Sequence, residues 1–416
     1  VTRVLTSKRD RVIPARVFRI VAVVGAIAFV TYVALVIQSP GTRAHQLDLN
    51  AYRIGGLRAL HGIPLYDTPL TGHIRGGNEF VYPPFAAVLF IPLAALDGVL
   101  FTLVGTMINA AVLVGVIWLA LSLLGYRRDS RTAWFAVFAA CALLYCEPIR
   151  QTVIYGQINL VLLAFVLVDL ALPDRVRWKG VLIGVAAGIK LTPLFFVVYL
   201  LVMRRWRAAA TAGATFAGMA LLGWLLLPRD SVTFWTSAVF DPSRVGPADM
   251  APNQTLCGML ARLMGVGSEQ RLLWLVLAAV IAVTGLILAR RLSLTGRELP
   301  AIVLCGLVST LVSPVSWPHH WVWLGLLAVY LLHLSLRRGA VLERWALGVT
   351  LAVTLGGVLG IIDYQVPTLL AVPDWAHLGI IYRNAYIWLT LGLLVAVYLR
   401  LRSANPNRGT TSTSTP

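Results

Sequence analysis

The sequence predicts an all-α polytopic membrane protein, and three observations carry that prediction. Hydrophobic residues make up 58% of the 416-residue chain and charged residues only 12%, against roughly 25% charged in soluble globular proteins. The mean hydropathy is +0.80. Apolar runs recur from one end of the chain to the other, separated by short arginine-rich loops. They are too many and too long for one buried core, so the chain is expected to lie in a membrane.

A helix rises 1.5 Å per residue, so roughly 20 apolar residues cross a hydrocarbon layer about 30 Å thick. Runs of full length fall at 17–37, 99–124, 208–227, 271–290, 345–362 and 381–402. The first has no small-residue cleavage site after it and reads as a retained helix rather than a secretion signal. Shorter runs fall at 84–96, 133–147, 158–172, 180–189, 192–203, 299–313 and 320–336. Those near 10–15 residues span only if flanking polar residues dip inward or the bilayer thins. Short, broken helices of this kind usually surround a cavity at membrane depth. In the first polar loop, Leu47, Leu49, Tyr52 and Leu57 predict a short amphipathic helix on the membrane surface. The C-terminal NPNRGTTSTSTP is polar and low in complexity, and is expected to be disordered. The chain thus divides into a basic N-terminal segment 1–16, one membrane-embedded domain 17–402 and a tail 403–416.

The formal net charge of +18 would suggest a nucleic-acid partner in a soluble protein. Here the excess sits in short loops: SKRDRVIPAR (7–16), YRRDSR (126–131), DRVRWK (174–179), RRWR (204–207), RRLSLTGR (290–297), RRGAVLER (337–344) and LRLRS (399–403). By the positive-inside rule these loops and both termini are cytoplasmic, and no nucleic-acid partner is expected. Parity then makes 84–96 a re-entrant or interfacial helix and 180–203 a hairpin with Lys190-Leu191-Thr192-Pro193 at its outer tip. About twelve crossings result. Every distinctive polar segment falls on the outer side: HQLDLNAY (45–52), the Tyr82-Pro83-Pro84 turn, CEPIRQTVIYGQIN (146–159), the tip 189–193, the loop 228–270 and SWPHHW (316–321). A chain with its chemistry gathered on one face is organised like an enzyme acting there, at the outer face of the plasma membrane.

Asp48 has two readings, a helix cap or solvated acid, and a general base that takes a proton from an acceptor hydroxyl. Lys190 interrupts VLIGVAAGI-K-LTPLFFVVYLL, and a lysine at the centre of a membrane helix costs about 3 kcal/mol on insertion scales. A break at Pro193 or an anionic ligand would relieve that cost. Arg150 and Glu147 sit in another outer break, and Gln157 and Asn159 follow Gly156, placed either to face a cavity or to cap a helix. His319 and His320 lie in SPVSWPHHWVW (313–323) among Trp317, Trp321 and Trp323. They serve either as interfacial anchors or as partners of a leaving phosphate. No further His or Cys stands at ligand spacing, so no metal is expected there. Cys141, Cys146, Cys257 and Cys305 form no C-x-x-C pair and read as small apolar fillers. Asn253-Gln254-Thr255 matches the common glycosylation acceptor pattern. No Gly-rich loop suits a nucleotide, and no cofactor is expected.

Taken in order, Asp48 after the first span, VYPPFAAV (81–88), EPIR with YGQINLVLL (147–150, 155–163), KLTP (190–193), RVGP with NQT (244–247, 253–255) and SPVSWPHHWVW (313–323) resemble a known family. The chain is similar to the membrane-embedded GT-C glycosyltransferases of family 87, above all to polyprenyl-phosphate-mannose-dependent α-1,2-mannosyltransferases that build phosphatidylinositol mannosides and related lipoglycans. The resemblance spans roughly residues 17–400. It implies a GT-C fold, an isoprenoid-phosphate sugar donor, a mannosylated glycolipid acceptor and inversion at the anomeric carbon. It matches Asp48 to the family's essential acid and His319 and His320 to its histidine pair near the donor phosphate. Roles for Lys190 and Arg150 at that phosphate follow from topology alone. Tyr82, Gln157, Asn159, Asn253 and Gln254 are grouped with them as substrate-binding residues. The residues do not separate mannose from arabinose, so an arabinofuranosyltransferase using the same kind of donor is the alternative. A lipid-linked sugar flippase or transporter is the non-enzymatic rival, because broken helices also mark transporters. The chain shows no internal repeat and its acids lie mainly outside the spans, which favours the enzyme. Its oligomeric state is left open.

Overall fold

A computed structural model describes residues 11–39, 41, 45–70, 79–337, 339–355 and 379–403. Among them the chain is helical throughout, with one isolated bridge between Arg11 and Tyr126 and no β-strand. The first third comprises α1 (Ala15–Gln38), α2 (Leu47–His61), α3 (Pro84–Phe90), α4 (Gly98–Leu123), α5 (Ser130–Leu143) and α6 (Glu147–Tyr155). The middle holds α7 (Asn159–Ala171), α8 (Val181–Ile189), α9 (Leu194–Val202), α10 (Trp206–Leu226), α11 (Pro228–Thr236) and α12 (Leu256–Met264). The last part holds α13 (Ser268–Leu294), α14 (Glu298–Val312), α15 (Trp323–Ser335), α16 (Val341–Leu355), α17 (Gly379–Tyr382) and α18 (Ala385–Ser403).

This is a multi-pass membrane protein. Five described helices, α1, α4, α10, α13 and α18, are long and apolar enough to cross a bilayer. The pair α5 and α6 makes a sixth candidate only as a broken span, because it bends by 86°. Helix length therefore supports fewer crossings than the twelve expected from charge parity. Helices α7, α14 and α15 have 13 to 15 residues, or about 20 Å at 1.5 Å per residue, short of a hydrocarbon layer of about 30 Å. The expected run 345–362 is described only to Leu355, and the tail lies outside the described residues beyond Ser403.

The hairpin expected at 180–203 forms, and packing gives its direction. A Cβ on Gly180 would meet Ala208, on Gly184 Ala212 and Thr215, and on Gly188 Met219. Rising numbers on α8 thus meet rising numbers on α10, so the two helices run the same way. Helix α9 joins them and must run back. Small residues along α8 let the backbones approach closely, the usual device where lipid tails offer no hydrophobic drive. Lys190 ends up level with about residue 221 of α10. The five residues from there to Leu226 rise about 8 Å, so the hairpin tip stops below the end of its neighbour.

The basic loops converge on the opposite end. Arg11 donates to the Leu124 carbonyl and meets His333, which also meets Tyr126 and Arg337. Arg205 pairs with Asp174 and Glu298, and Arg400 with Glu343. Exposed Trp134, Trp178, Trp206 and Trp345 flank these loops, as aromatic residues do at a membrane boundary.

Candidate active site

At the other end, all six of the polar segments picked out in the sequence contribute to one cavity of about 790 Å³. Its wall includes Asp48, Tyr82, Gln157, Lys190, His319 and His320.

The cationic end is built around Lys190. The chain leaves α8 in extended conformation at this residue, which frees its side chain from the helix surface. The Nζ donates to Asn159 Oδ1 at 3.1 Å, lies 3.0 Å from His320 Nε2 and sits over the Tyr82 ring at 5.6 Å. An ammonium only donates, so Nε2 of His320 is the acceptor and the ring is the neutral Nδ1–H tautomer. The polar tip lies between helices, outside any span. There burial draws Lys190 down to about 8, with Asp48 opposing. Burial, the Lys190 charge and the neighbouring His319 hold His320 well below the usual histidine range. His319 is buried with neither ring nitrogen hydrogen-bonded among the described residues. Its carbonyl accepts from Asn159 Nδ2 at 2.9 Å and Thr152 Oγ1 at 3.2 Å, which fixes the turn.

Asn159 links this cluster to the acid. With its oxygen taken by Lys190, its amide donates to Gln157 Oε1 at 3.3 Å. Tyr52 also donates to that oxygen, at 2.8 Å, and its hydroxyl lies 3.0 Å from that of Tyr82. Gln157 thereby has its amide nitrogen left for the Asp48 carboxylate, with which it hydrogen-bonds. Asp48 sits in the first turn of the interfacial helix α2, half-buried. Burial pushes it up to about 6, against the Gln157 hydrogen bond and the Lys190 charge, which both pull it down.

The placing of Asp48 depends on Gln46, just before α2. Gln46 adopts a left-handed backbone with φ of 48°, and its backbone N–H donates to the Ile154 carbonyl at 3.0 Å. Its side-chain amide donates to the Val153 carbonyl at 2.9 Å. The amide thus caps the end of α6, where C-terminal carbonyls lack helical partners. Gly156, at φ of +66°, makes room for it. The buried face of α2 is Leu49, Tyr52, Gly55 and Gly56, rather than the Leu47–Leu57 stripe expected, because Leu47 is exposed.

The structure does not bring every expected residue to the cavity. Arg150 is buried behind the wall, one turn along α6 from Glu147, whose carboxylate accepts from Tyr386 and from Gln151 at 3.1 Å. Asn253 and Gln254 are fully buried braces. Asn253 donates to the Ala248 carbonyl at 2.8 Å and accepts from Ser316 N at 3.1 Å. Gln254 donates to the carbonyls of Ala251 and Arg383, each at 2.7 Å. They hold the histidine turn from behind. Tyr52 and Gln46 were missed. Tyr52 stands four residues after Asp48, on the same helix face, which was a readable signal; Gln46 had none. No group of three His, Cys, Asp or Glu side chains that would hold a metal ion occurs among the described residues. The four cysteines are unbridged and three are buried.

A carboxylate tuned near neutrality and a buried cationic cluster, joined through Gln157 and Asn159 at one membrane-level cavity, suit group transfer from an anionic carrier to a hydroxyl. The chain belongs to glycosyltransferase family 87, whose sequence profile matches residues 80–314. It is 34% identical over 386 residues to the polyprenol-phosphate-mannose-dependent α-(1-2)-phosphatidylinositol mannoside mannosyltransferase of Mycolicibacterium smegmatis, covering 86% of this chain and 85% of that one. The protein of the same description from Mycobacterium tuberculosis is 37% identical over 331 residues, 73% of this chain and 77% of its own. A phosphatidylinositol pentamannoside mannosyltransferase of M. tuberculosis is 32% identical over 416 residues, 96% and 92% of the two chains. No solved structure matches the chain.

Proposed function

We propose that this glycosyltransferase moves mannose from a polyprenyl phosphate to a 2-hydroxyl of a phosphatidylinositol mannoside or related lipoglycan, forming an α-1,2 linkage with inversion. The names of its relatives support the donor and acceptor. The observation that carries the mechanism is that Asp48 and the Lys190–His320 pair line one cavity, coupled through Gln157 and Asn159.

In this mechanism ionised Asp48 accepts the proton of the acceptor hydroxyl as its oxygen attacks the anomeric carbon. The bond from that carbon to the phosphate oxygen breaks, and the electron pair leaves with the polyprenyl phosphate. Lys190 meets the growing phosphate charge, and the neutral His319 and His320 rings supply N–H donors to it, in a site where water does not screen them. Tyr82, Gln157 and Asn159 orient the two ends. Asn253, Gln254 and Arg150 support the wall and do not touch substrate.

In the same reading the basic end is cytoplasmic and the cavity opens on the outer face of the plasma membrane. The domain 17–402 is then a GT-C domain, with about twelve crossings if the short helices and their polar flanks count as spans. A cysteine introduced at exposed Ser243 should react with an impermeant reagent added outside intact cells.

The deciding experiment supplies purified protein in detergent with labelled polyprenyl-phosphate-mannose or polyprenyl-phosphate-arabinose and a phosphatidylinositol mannoside acceptor. Mannose transfer that vanishes in Asp48→Asn, with folding intact, supports the reading. Arabinose transfer alone would change the product. A folded protein that transfers neither sugar but moves the lipid across vesicles would be a transporter.

A further inference from the structure

The cavity has a second polar wall that the mechanism above leaves unused. Glu79 and Arg244 both line it, with Arg244 Nη2 2.9 Å from Glu79 Oε2 and side-chain exposures of 13% and 6%. A pair so far removed from water is favourable only when further hydrogen bonds satisfy its remaining donors and lone pairs. At the basic end the carboxylate meets that condition, Glu298 receiving both Arg205 and Ser293, while Arg205 Nε has only Asp174, at 3.4 Å, as an ion-pair partner. In the cavity the paired carboxylate oxygen does not. Arg244 donates to the Tyr66 carbonyl at 3.0 Å and lies over the Tyr66 ring at 5.8 Å. Its Nε has no hydrogen-bond partner among the described residues, and the Glu79 Oε2 atom has none beyond its ion pair with Arg244 Nη2.

We propose that Glu79 and Arg244 form a sugar-binding subsite that grips a vicinal diol of a pyranose, on the acceptor or on the sugar being transferred. The inference rests on the glycosyltransferase reading above. The carboxylate accepts from one hydroxyl while the guanidinium donates to its neighbour, so the two adjacent oxygens complete what the pair lacks. The position suits this. Three residues of extended chain reach at most about 10 Å, so Glu79 stays within that distance of Tyr82, whose ring faces Lys190. Tyr66, which anchors Arg244, also donates from its hydroxyl to the Tyr82 carbonyl at 2.6 Å. The subsite and the cationic end are thus tied together through Tyr66 and Tyr82 on the wall of one cavity of about 790 Å³.

The test compares wild type, Glu79→Gln and Arg244→Lys, varying polyprenyl-phosphate-mannose and the phosphatidylinositol mannoside acceptor separately. Both variants should raise KM for one substrate at least tenfold while kcat stays within threefold. The substrate affected identifies the source of the diol. Singly deoxygenated versions of that substrate should lose affinity for wild type, because a site built to bind a hydroxyl rejects its absence, and the penalty should vanish in Glu79→Gln. Unmoved KM values in folded variants would overturn the proposal while leaving the function intact. If the variants do not fold, wild type alone decides: no penalty from any single deoxygenation overturns the subsite. Wild type that transfers no sugar overturns the underlying reading and the subsite with it.

Discussion

Replacing Gly156 by alanine should slow transfer about a hundredfold, although Gly156 has no part in the proposed chemistry. Gly156 ends α6 at φ of +66°, where an alanine costs roughly 1–2 kcal/mol. The new Cβ would stand 2.3 Å from Gln46 Oε1 and 2.6 Å from Leu49 Cβ. The Gln46 amide can turn only by releasing the Val153 carbonyl. Leu49 Cβ cannot turn at all, being fixed to the backbone of α2. Carbon contacts relax near 3.5 Å, so α2 must retreat by about 1 Å. Asp48 lies between Gln46 and Leu49 and moves with them. A 1 Å misplacement of a reacting group costs about 10²-fold in rate, and the strain and overpacking together cost about 2–5 kcal/mol of stability. The assay is initial-rate transfer at saturating donor and acceptor, alongside thermal unfolding in detergent. Gly115→Ala is the control, since nothing lies within 4 Å of its added Cβ, and it should gain about 0.5–1 kcal/mol with unchanged rate. A folded Gly156→Ala protein with kcat within twofold of wild type would refute the view that this contact positions Asp48.

Three other outcomes are expected. Transfer should show a bell-shaped pH profile, falling below about 6 as Asp48 is protonated and above about 8 as Lys190 loses its charge; a profile flat from pH 5 to 9 would remove both roles. Lys190→Arg keeps the cation far above pH 8, so kcat should drop but the alkaline limb should disappear. Asp48→Asn should be at least as stable as wild type above pH 6. Burial raises the folded value from 3.8 to about 6, so the folded state binds this proton more tightly and loses stability as pH rises through that window; a clearly lower melting temperature for the variant at pH 7.5 would contradict this.

The helices were legible because their apolar runs are long. The expected 99–124 and 208–227 fall within two residues of Gly98–Leu123 and Trp206–Leu226. Charge parity, applied to loops alone, also found the hairpin at 180–203, which the parallel packing of α8 on α10 bears out. The break at Glu147 and Arg150 was legible, but neither the 86° angle nor the helix that follows it was. The run 133–147 ends at that break, and the packing of α6 behind the histidine turn is what sets the angle.

Within the site, the separation between what was read and what was missed follows solvation. Lys190 stood out because a cation in an apolar run has to be explained by a break or an anion, and the structure supplies the break and an incompletely satisfied ammonium facing a cavity. Arg150 reads with Glu147 as part of an outer break, yet it is buried on α6 behind the wall and does not line the cavity. A buried charge that opens on a cavity without a carboxylate in contact needs a ligand, whereas one packed behind the wall cannot reach one. The same criterion points to Glu79–Arg244, where Glu79 Oε2 has no donor beyond Arg244 among the described residues, whereas Ser293 also reaches Glu298. Sequence spacing cannot apply it, because Glu79 and Arg244 are 165 positions apart and only the fold shows which lone pairs remain. Unmet hydrogen-bonding capacity in the cavity wall, more than charge itself, is therefore the feature that marks the residues expected to meet substrate.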